Sequence, residues 1–372
     1  MRPVNRWMVP GAVAVVILAA ATVPHAFAST PDPSLPTVTA ADLIAGVRTA
    51  SVGALSGTLQ LNSALGLPSL PDRLAGATSG GAALLTGTHT MKLWVDGPDR
   101  QRLALLDDMA ETDLVHSGTD LWTYDSSTNT ATHRVLPAPD GSGDGGSAPA
   151  DLTPQAAAAR LLSNLDPTTA VAVAGTGRVA GRPTYRLTLT PRTTDTLIRS
   201  VRIDVDAADH IPLRVQVFGA GSAPAWSLGF TYVSLTTPAA AEFRFTAPPG
   251  ATVTQSTGRG GSGDTTDPAS GGSSGDSSTD GAADSSAKPQ TIGSGWGTVV
   301  EFPSSDLNPG TTPGGAPGSR HTSMLGWLDS AATVVPEGRL LTTDLFSLLI
   351  TPDGRAFVGA VPPAVVRSAA AK

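Results

Sequence analysis

The sequence has 372 residues, of which 40% are hydrophobic and 15% are charged, and its formal net charge is −7 at pH 7. This length leaves room for two domains, because one core seldom grows past about 250–300 residues, and the negative charge disfavours nucleic acid as a partner. The lack of cysteine excludes disulfides, thiolate catalysis, cysteine-based metal sites and a lipid-modified amino-terminal cysteine.

Residues 1–28 have the pattern of an export signal. Arg2 and Arg6 give a positive start, an uncharged apolar run over 7–23 follows, and residues 26–28 supply the small side chains that a signal peptidase requires. An uncleaved membrane anchor is the alternative, since about 17 apolar residues is near the lower limit for spanning a bilayer. We therefore expect an extracytoplasmic protein, either secreted across the cytoplasmic membrane or tethered to its outer face.

A proline- and threonine-rich tether over residues 29–38 leads into a predicted helix. Thr39 can cap this helix, with Asp42 at the third helical position. Beyond it the hydrophobic pattern changes to a period of two, which is typical of half-buried strands. The predicted strands cover residues 54–62, 88–95, 100–107, 111–116, 120–124, 130–136, 169–174, 183–190, 197–205, 211–217 and 226–232.

Short turns rich in Gly, Asp and Pro connect most of these strands, and short connections join antiparallel neighbours, so the sequence predicts one long antiparallel meander. The acidic run 204–209 resembles part of a calcium loop but lacks its glycine and bidentate glutamate, and we interpret it as a hairpin turn. Two longer segments interrupt the meander: apolar residues 63–87, expected to form a rim or lid, and the polar loop 137–151. A second helix over 153–165 follows that loop.

Residues 254–290 are rich in Ser, Gly, Thr and Asp and cannot bury enough surface to offset backbone ordering, so we expect a flexible linker. A small C-terminal α+β module over residues 291–372 follows it. Its predicted elements are a strand over 298–302, a helix over 323–332, a hairpin of 345–350 with 356–361, and a last helix from Pro362-Pro363 to Ala371.

The sequence contains no constellation of catalytic residues. No two histidines stand at i, i+4 beside a glutamate, and no Gly-x-Ser-x-Gly motif or phosphate-binding glycine loop occurs. A metal site built from three histidines of separate strands is left open as an alternative. The histidines are His25, His89, His116, His133, His210 and His321. We therefore predict a protein that is not an enzyme, with no catalytic residue, metal or cofactor.

A long sheet with one apolar face needs a cover, and only two helices are predicted within its span. A sheet bent around those helices encloses an apolar interior that suits acyl chains. A tightly filled core without a cavity is the alternative. The residues expected to line the cavity are Leu59, Leu61, Leu93, Leu103, Leu187, Val201, Val215, Trp226 and Phe230.

Four segments together form a distinctive motif set: Val-Arg-Ile-Asp-Val-Asp at 201–206, His-Ile-Pro-Leu-Arg-Val-Gln-Val at 210–217, Phe-Thr-Tyr at 230–232, and Phe-Arg-Phe-Thr-Ala-Pro-Pro-Gly-Ala-Thr-Val at 243–253. In this order they resemble the LolA-like lipoprotein-carrier superfamily, which includes the LolA carriers, the LppX and LprG lipoproteins and the RseB/MucB regulators. With the opening helix and the first strand, the resemblance extends over residues 36–254. The long linker and the missing lipobox cysteine depart from the family, and no residue is assigned to the family's lid-fastening arginine.

The resemblance implies a mostly β fold with a few helices, namely an incomplete curved antiparallel β-barrel with a helical lid. We expect residues 39–253 to bind lipid or lipoprotein acyl chains in a half-barrel cavity, as a non-enzymatic carrier or sensor. The alternative is an RseB-like regulator that contacts a membrane anti-sigma factor, or another membrane protein, through residues 291–372.

Overall fold

The computed structural model describes residues 32–50, 52–67, 83–107, 109–136, 152–163, 165, 167–256, 289–307 and 331–372. The chain divides into two compact units, residues 1–32 and 33–372, and the features below belong to the second. The expected leader (1–28), the loop 137–151, residues 68–82 of the expected lid, 257–288 of the expected linker and 323–330 of a predicted helix lie outside the described residues.

Twelve strands form one large curved sheet. They are β1 (Ala54–Ala64), β2 (Thr86–Asp96), β3 (Arg100–Leu106), β4 (Glu111–Ser117), β5 (Asp120–Asp125), β6 (Thr130–Val135), β7 (Thr169–Val179), β8 (Arg182–Pro191), β9 (Ser200–Asp206), β10 (Pro212–Phe218), β11 (Trp226–Ser234) and β12 (Thr252–Ser256). Their order in the sheet is β12-β6-β5-β4-β3-β2-β1-β11-β10-β9-β8-β7. Because β12 and β7 are the two edges, the sheet stays open and does not close into a barrel. The predicted fold class is confirmed.

Two helices pack on the inner face of this sheet, the face that carries Leu59 and Leu187. Helix α1 (Ala40–Thr49) starts as predicted, since the Thr39 hydroxyl accepts a hydrogen bond from the Asp42 amide at 3.1 Å. Helix α2 (Pro154–Ser163) starts with a proline, and the Thr153 hydroxyl accepts a bond from an amide of its first turn. Among the described residues, no helix is both long and apolar enough to cross a membrane.

Two apolar clusters cover the inner face. The strand cluster consists of Leu55, Leu59, Leu61, Met91, Leu93, Leu103, Val179, Ile211, Leu213, Leu228 and Phe230. The helix cluster consists of Leu43, Ala158, Leu162, Tyr185, Leu187, Leu189, Val201, Ile203, Val205 and Val215. The two helices therefore cover the part of the sheet that runs from β7 to β10.

The sheet consists of two meanders, and not of one as predicted. Strands β1 to β6 follow each other in space, as do β7 to β11, but β6 and β7 lie far apart in the sheet order. The two halves meet where β1 pairs antiparallel with β11. The prediction was wrong at this point because the connection between β6 and β7 is long and contains α2, so it need not join neighbouring strands.

A β-bulge in β11 places Tyr232 on the opposite face of the sheet from the one predicted. Leu59 lies opposite Phe230, but the next pair is Thr58 and Tyr232, so the residue between Phe230 and Tyr232 has no partner. An extra residue reverses the direction of every side chain beyond it. Tyr232 was predicted on the apolar face with Trp226 and Phe230, yet 61% of it is exposed.

The chain returns across the outer face of the sheet after β11, and the Phe-x-Phe motif holds it there. Phe243 is buried, and the ring of Phe245 lies 5.1 Å from the ring of Trp122. Glu242, beside Phe243, forms an ion pair with Arg102 of β3 at 3.8 Å. This path delivers the chain to the edge, where β12 pairs parallel with β6. Strand β12 was not predicted, because its partner lies far back in the sequence and no hairpin turn marks the pair.

The aspartates of the Val-Arg-Ile-Asp-Val-Asp motif hold neighbouring strands together on the outer face. The Asp204 carboxylate is buried and accepts hydrogen bonds from Arg186 at 3.1 Å and from Arg214 at 2.7 Å, which links β8, β9 and β10. Asp206 accepts bonds from the backbone amides of Ala208 and Asp209 at 2.9 and 2.8 Å. The predicted hairpin turn between β9 and β10 is confirmed.

A second sheet of six strands forms the C-terminal module. The strands are β13 (Gln290–Ile292), β14 (Val299–Pro303), β15 (Thr333–Val335), β16 (Gly338–Thr342), β17 (Ser347–Ile350) and β18 (Arg355–Gly359), in the order β13-β14-β18-β17-β16-β15. Helix α3 (Pro363–Ala370) packs on this sheet through Val366 and Ala369. The predicted strand β14, hairpin β17–β18 and helix α3 are confirmed. Strands β13, β15 and β16, which have three to five residues, were missed.

The two sheets are packed against each other. The backbone amide of Asp344 donates to the carbonyl of Leu65 at 3.0 Å, and that of Leu197 donates to the carbonyl of Ala360 at 2.9 Å. An apolar cluster, here called the junction cluster, lies beside these bonds. Its buried residues are Leu65, Ala225 and Leu345. The C-terminal module therefore shares a core with the large sheet.

We predict that Gly219→Ala weakens this junction. A Cβ atom at position 219 would lie 2.5 Å from the carbonyl oxygen of Asp344, so the free energy of unfolding should fall by about 1–3 kcal/mol through overpacking. Gly221→Ala is the matched control, because its nearest contact, the carbonyl oxygen of Ala223, would be 4.0 Å away. Urea unfolding measures both variants, and equal stabilities would contradict the contact at Gly219.

A second prediction concerns Asp206. Burial raises the pKa of this carboxyl, but hydrogen bonds from Arg182 and from two backbone amides outweigh burial and hold the pKa of Asp206 below its ordinary value. The ionised form thus contributes stability that is present above the unfolded pKa of about 3.9 and is lost as the pH falls through the folded pKa. Asp206→Asn should cost about 1–3 kcal/mol at neutral pH.

The cost of Asp206→Asn should shrink steadily when urea unfolding is repeated at pH values below about 4, because there the unfolded chain takes up a proton at this carboxyl before the folded protein does. A difference that did not change with pH would show that the folded protein does not hold this carboxylate ionised.

Candidate functional site

A cavity of about 520 Å³ lies between the two helices and the inner face of the large sheet. Its walls come from α1 and the residues after it, from one side of α2, from β1 and β2, and from the start of β10. The lining residues are Val47, Arg48, Ala50, Val52, Leu55, Leu93, Val95, Thr153, Gln155, Ala159, Leu162, Ser163, Ile211 and Pro212. Most of these side chains are apolar.

The sequence of α2 explains why this space is empty. Gln155, Ala159 and Ser163 are spaced four residues apart, so they lie on one side of the helix, and this side faces the cavity. Ala159, in the middle, carries only a methyl group, and Leu93 and Val95 of β2 line the same cavity. The neighbouring side of α2 carries Ala158 and Leu162, which are fully buried in the helix cluster. The helix is thus anchored on one side and leaves room on the other.

Helices α1 and α2 are joined at the cavity by one hydrogen bond. The guanidinium of Arg48 donates to the carbonyl oxygen of Leu162 at 3.0 Å. Arg48 is an exposed residue, so water competes for the same donors. Sequence analysis missed this interaction because the two residues are 114 positions apart. The sequence shows that Arg48 is a basic residue in the last turn of α1, but its pattern does not indicate the partner of this residue.

The structure places Leu93 in the cavity wall and the other eight expected lining residues in the packing around it. Leu59, Leu61, Leu103 and Phe230 lie in the strand cluster. Leu187, Val201 and Val215 lie in the helix cluster. Trp226 contacts both clusters and also the junction cluster.

Two local reasons keep these side chains out of the cavity wall. The ring of Phe230 lies flat over Gly57 of the neighbouring strand, where an added Cβ would be 2.7 Å from the ring. Leu187 and Val201 are covered directly by α1 and α2. Sequence analysis placed the cavity on the strands alone and omitted the helix residues that form much of its wall. The spacing of Gln155, Ala159 and Ser163 was the signal that could have indicated them.

The four described histidines lie apart from the cavity wall and from each other. His133 contacts Asp120 at 2.7 Å, His89 and His116 bond to nearby backbone carbonyls, and His210 packs against Gly46 of α1. Within the described ranges, no three His, Asp or Glu side chains are grouped in a way that could hold a metal ion.

No protein-family model matches the sequence, and no curated protein matches it. Among solved structures, the chain is similar to the MucA/MucB complex of Pseudomonas aeruginosa, with 17% identity over 89% of this chain and 96% of that chain and a TM-score of 0.39. It is also similar to a LolA superfamily protein from Nitrosomonas europaea, with 11% identity, 56% and 99% coverage and a TM-score of 0.23.

A third similar structure is the lipoprotein LppX of Mycobacterium tuberculosis, with 12% identity, 52% and 94% coverage and a TM-score of 0.28. The MucB, LolA and LppX proteins, which belong to the groups that the sequence resembles, are thus all among the solved structures that match. The TM-scores are below 0.5 and the identities below 25%, so these matches by themselves indicate no function.

We predict that Arg48→Met loosens α2 without unfolding the protein. The variant keeps the length of the side chain but removes the donor to Leu162, and the stability cost should stay below about 1 kcal/mol because the arginine is exposed. Amide hydrogen exchange in residues 154–163 should become faster. Arg192→Met, at an exposed position outside the cavity wall, is the control and should leave exchange in α2 unchanged. Unchanged exchange in Arg48→Met would show that the bond does not restrain the helix.

Proposed function

We propose that this protein is an extracytoplasmic, non-enzymatic carrier or sensor that binds a lipid or lipoprotein acyl chain in the cavity between α1, α2 and the sheet. The observation that carries the proposal is the cavity itself. Its volume of about 520 Å³ falls within the range of about 300–1,000 Å³ that is usual for small-molecule sites.

The chemistry of the wall favours an apolar ligand. Leu55, Leu93, Val95 and Ile211 supply the sheet side, and Arg48 is the one charged side chain among the lining residues. Burying one methylene group is worth about 0.8 kcal/mol, so about ten of them supply roughly 8 kcal/mol before ordering costs. A net 8 kcal/mol would correspond to micromolar binding, so the affinity after ordering costs is weaker than micromolar, which suits a carrier that must also release its ligand.

The covering helices provide a means of uptake and release. A part-buried hydrogen bond from Arg48 to Leu162 joins α1 and α2 beside the cavity. Such a bond contributes little net stability, so the cavity side of the two helices can open at small cost while Leu43 and Leu162 stay packed in the helix cluster. Residues 1–28, which have the pattern of an export signal, would carry the protein across the cytoplasmic membrane.

The contacts of Trp226 favour a second candidate function, a regulator that contacts a membrane partner through residues 291–372. Trp226 packs against the strand cluster, the helix cluster and the junction cluster. A change in helix packing on ligand binding would therefore reach the C-terminal module through one rigid side chain. Photo-crosslinking of the full chain in membranes, with and without added lipid, tests this candidate, since a regulator should capture a membrane protein in a lipid-dependent way.

We predict that affinity rises with acyl chain length until the cavity is full. Each pair of added methylene groups should tighten binding about fifteenfold and the gain should then stop. Displacement of a fluorescent acyl probe by ligands of increasing length measures this series.

Ala159→Phe should fill the cavity and abolish the chain-length dependence, because the ring would occupy the space between α2 and Leu93. Ala45→Phe, which adds the same ring at an exposed position of α1, is the control and should bind like the wild type. Absence of binding by the wild-type protein, or equal binding by the two variants, would defeat the proposed function.

A further inference from the structure

His210, in the turn between β9 and β10, makes a close contact with Gly46 of α1. A Cβ atom added to Gly46 would lie 2.9 Å from the Cγ and Cδ2 atoms of His210 and 3.3 Å from its Cβ atom. Atoms at the shorter of these distances overlap, so the ring of His210 occupies the space that a side chain at position 46 would need. A glycine at position 46 therefore lets α1 lie as close to this turn as it does.

Both residues of this contact are unfavourable choices for their own local structure. Gly46 lies within α1, where glycine destabilises a helix relative to alanine. His210 has a φ of 56°, in the left-handed region that residues other than glycine seldom adopt. Alanine would suit the helix better and glycine would suit the turn better. The contact explains both residues, because the ring fills the space that the missing side chain leaves.

The contact lies at the edge of the cavity. Val47, which follows Gly46, lines the cavity from α1, and Ile211, which follows His210, lines it from the sheet. These two walls meet where the ring of His210 lies against the helix. The distance between the walls therefore depends on how closely α1 approaches the turn.

The turn that carries His210 is a firm support for the helix. The Asp206 carboxylate accepts hydrogen bonds from the amides of Ala208 and Asp209 at 2.9 and 2.8 Å, and the amide of His210 donates to the carbonyl of Asp206 at 3.1 Å. On the other side, Leu43 anchors α1 in the helix cluster. A rigid ring between an anchored helix and a fixed turn sets the distance between them.

The width of an apolar cavity determines which hydrocarbon it holds best. Dispersion attraction falls steeply with distance, and a gap of about 0.5–1 Å forfeits a quarter to a half of the attraction between two atoms. A cavity held at one width therefore favours chains of matching thickness, and a wider cavity favours thicker chains. Methyl branches thicken a chain and leave it apolar, so the distance between α1 and the sheet can select between straight and branched chains.

We propose that the contact between Gly46 and His210 is a spacer that fixes the distance of α1 from the sheet, and thereby the thickness of the hydrocarbon chain that the cavity accepts. This inference rests on the proposed function and adds to it the residues that select among apolar ligands. His210 acts as a positioning residue, through its contact with the helix.

The test compares palmitate with phytanate, a fatty acid of the same backbone length that carries methyl branches, in displacement of a fluorescent acyl probe. Gly46→Ala should push α1 away from the turn and widen the cavity, so the ratio of palmitate affinity to phytanate affinity should fall about three- to tenfold. Gly53→Ala is the matched control, because an added Cβ there has nothing within 4 Å, and it should leave the ratio unchanged.

A second background separates the spacer from the helix preference of alanine. His210→Gly removes the ring and suits the left-handed backbone of the turn. In a chain that carries His210→Gly, adding Gly46→Ala should no longer alter the affinity ratio. It should raise the midpoint of thermal unfolding by about 2–4 °C, because the alanine then favours the helix without overlap.

The outcomes distinguish this inference from the proposed function. If the wild-type protein bound neither fatty acid, the proposed function would fail. If it bound them and Gly46→Ala left their ratio unchanged, or changed it equally in both backgrounds, only the spacer would be overturned. If Gly46→Ala does not fold, His210→Gly alone decides, since removing the ring should change the ratio about threefold or more and an unchanged ratio would contradict the spacer.

Discussion

The hydrogen-bonded pairing of β1 with β11 holds the large sheet together as one surface. It joins two meanders, pairing Leu61 with Leu228 and Leu59 with Phe230, and so turns two apolar faces into one. Each meander alone would need further residues to bury its apolar face. Joined, they share α1 and α2, and the outer face is left to polar networks such as Arg186, Asp204 and Arg214 together with the return of the chain after β11.

The cavity follows from a mismatch between this wide face and its narrow cover. The helices lie over β7 to β10, where their leucines bury the sheet tightly, and stop short of β1 and β2. Small and polar residues of α2 face the gap, with Ala159 in the middle and Gln155 at one end. One side of α2 therefore packs in the core and another side faces the cavity, because the side chains on the two sides differ in size.

The C-terminal module is also joined to the large sheet by buried apolar packing. It is not held to the large sheet by a tether alone, because Leu65, Ala225 and Leu345 form a buried cluster between the sheets and backbone bonds join them directly. Trp226 connects that cluster with the two clusters of the inner face. A protein built this way can pass a change in its cavity to a second surface without any large movement, which unites the carrier and regulator hypotheses in one physical arrangement.

Features that depend on local interactions could be predicted from the amino-acid sequence. The capped first helix, the eleven alternating strands up to Ser234 and the turn held by Asp206 were all predictable, because each depends on residues close together in the chain. Tertiary structure alone decided the β1–β11 pairing, the parallel strand β12, the bulge that exposes Tyr232, and the cavity wall. Those features depend on contacts between residues a hundred or more positions apart, such as Arg48 and Leu162, and alternation along a strand shows which face is apolar but not what covers it.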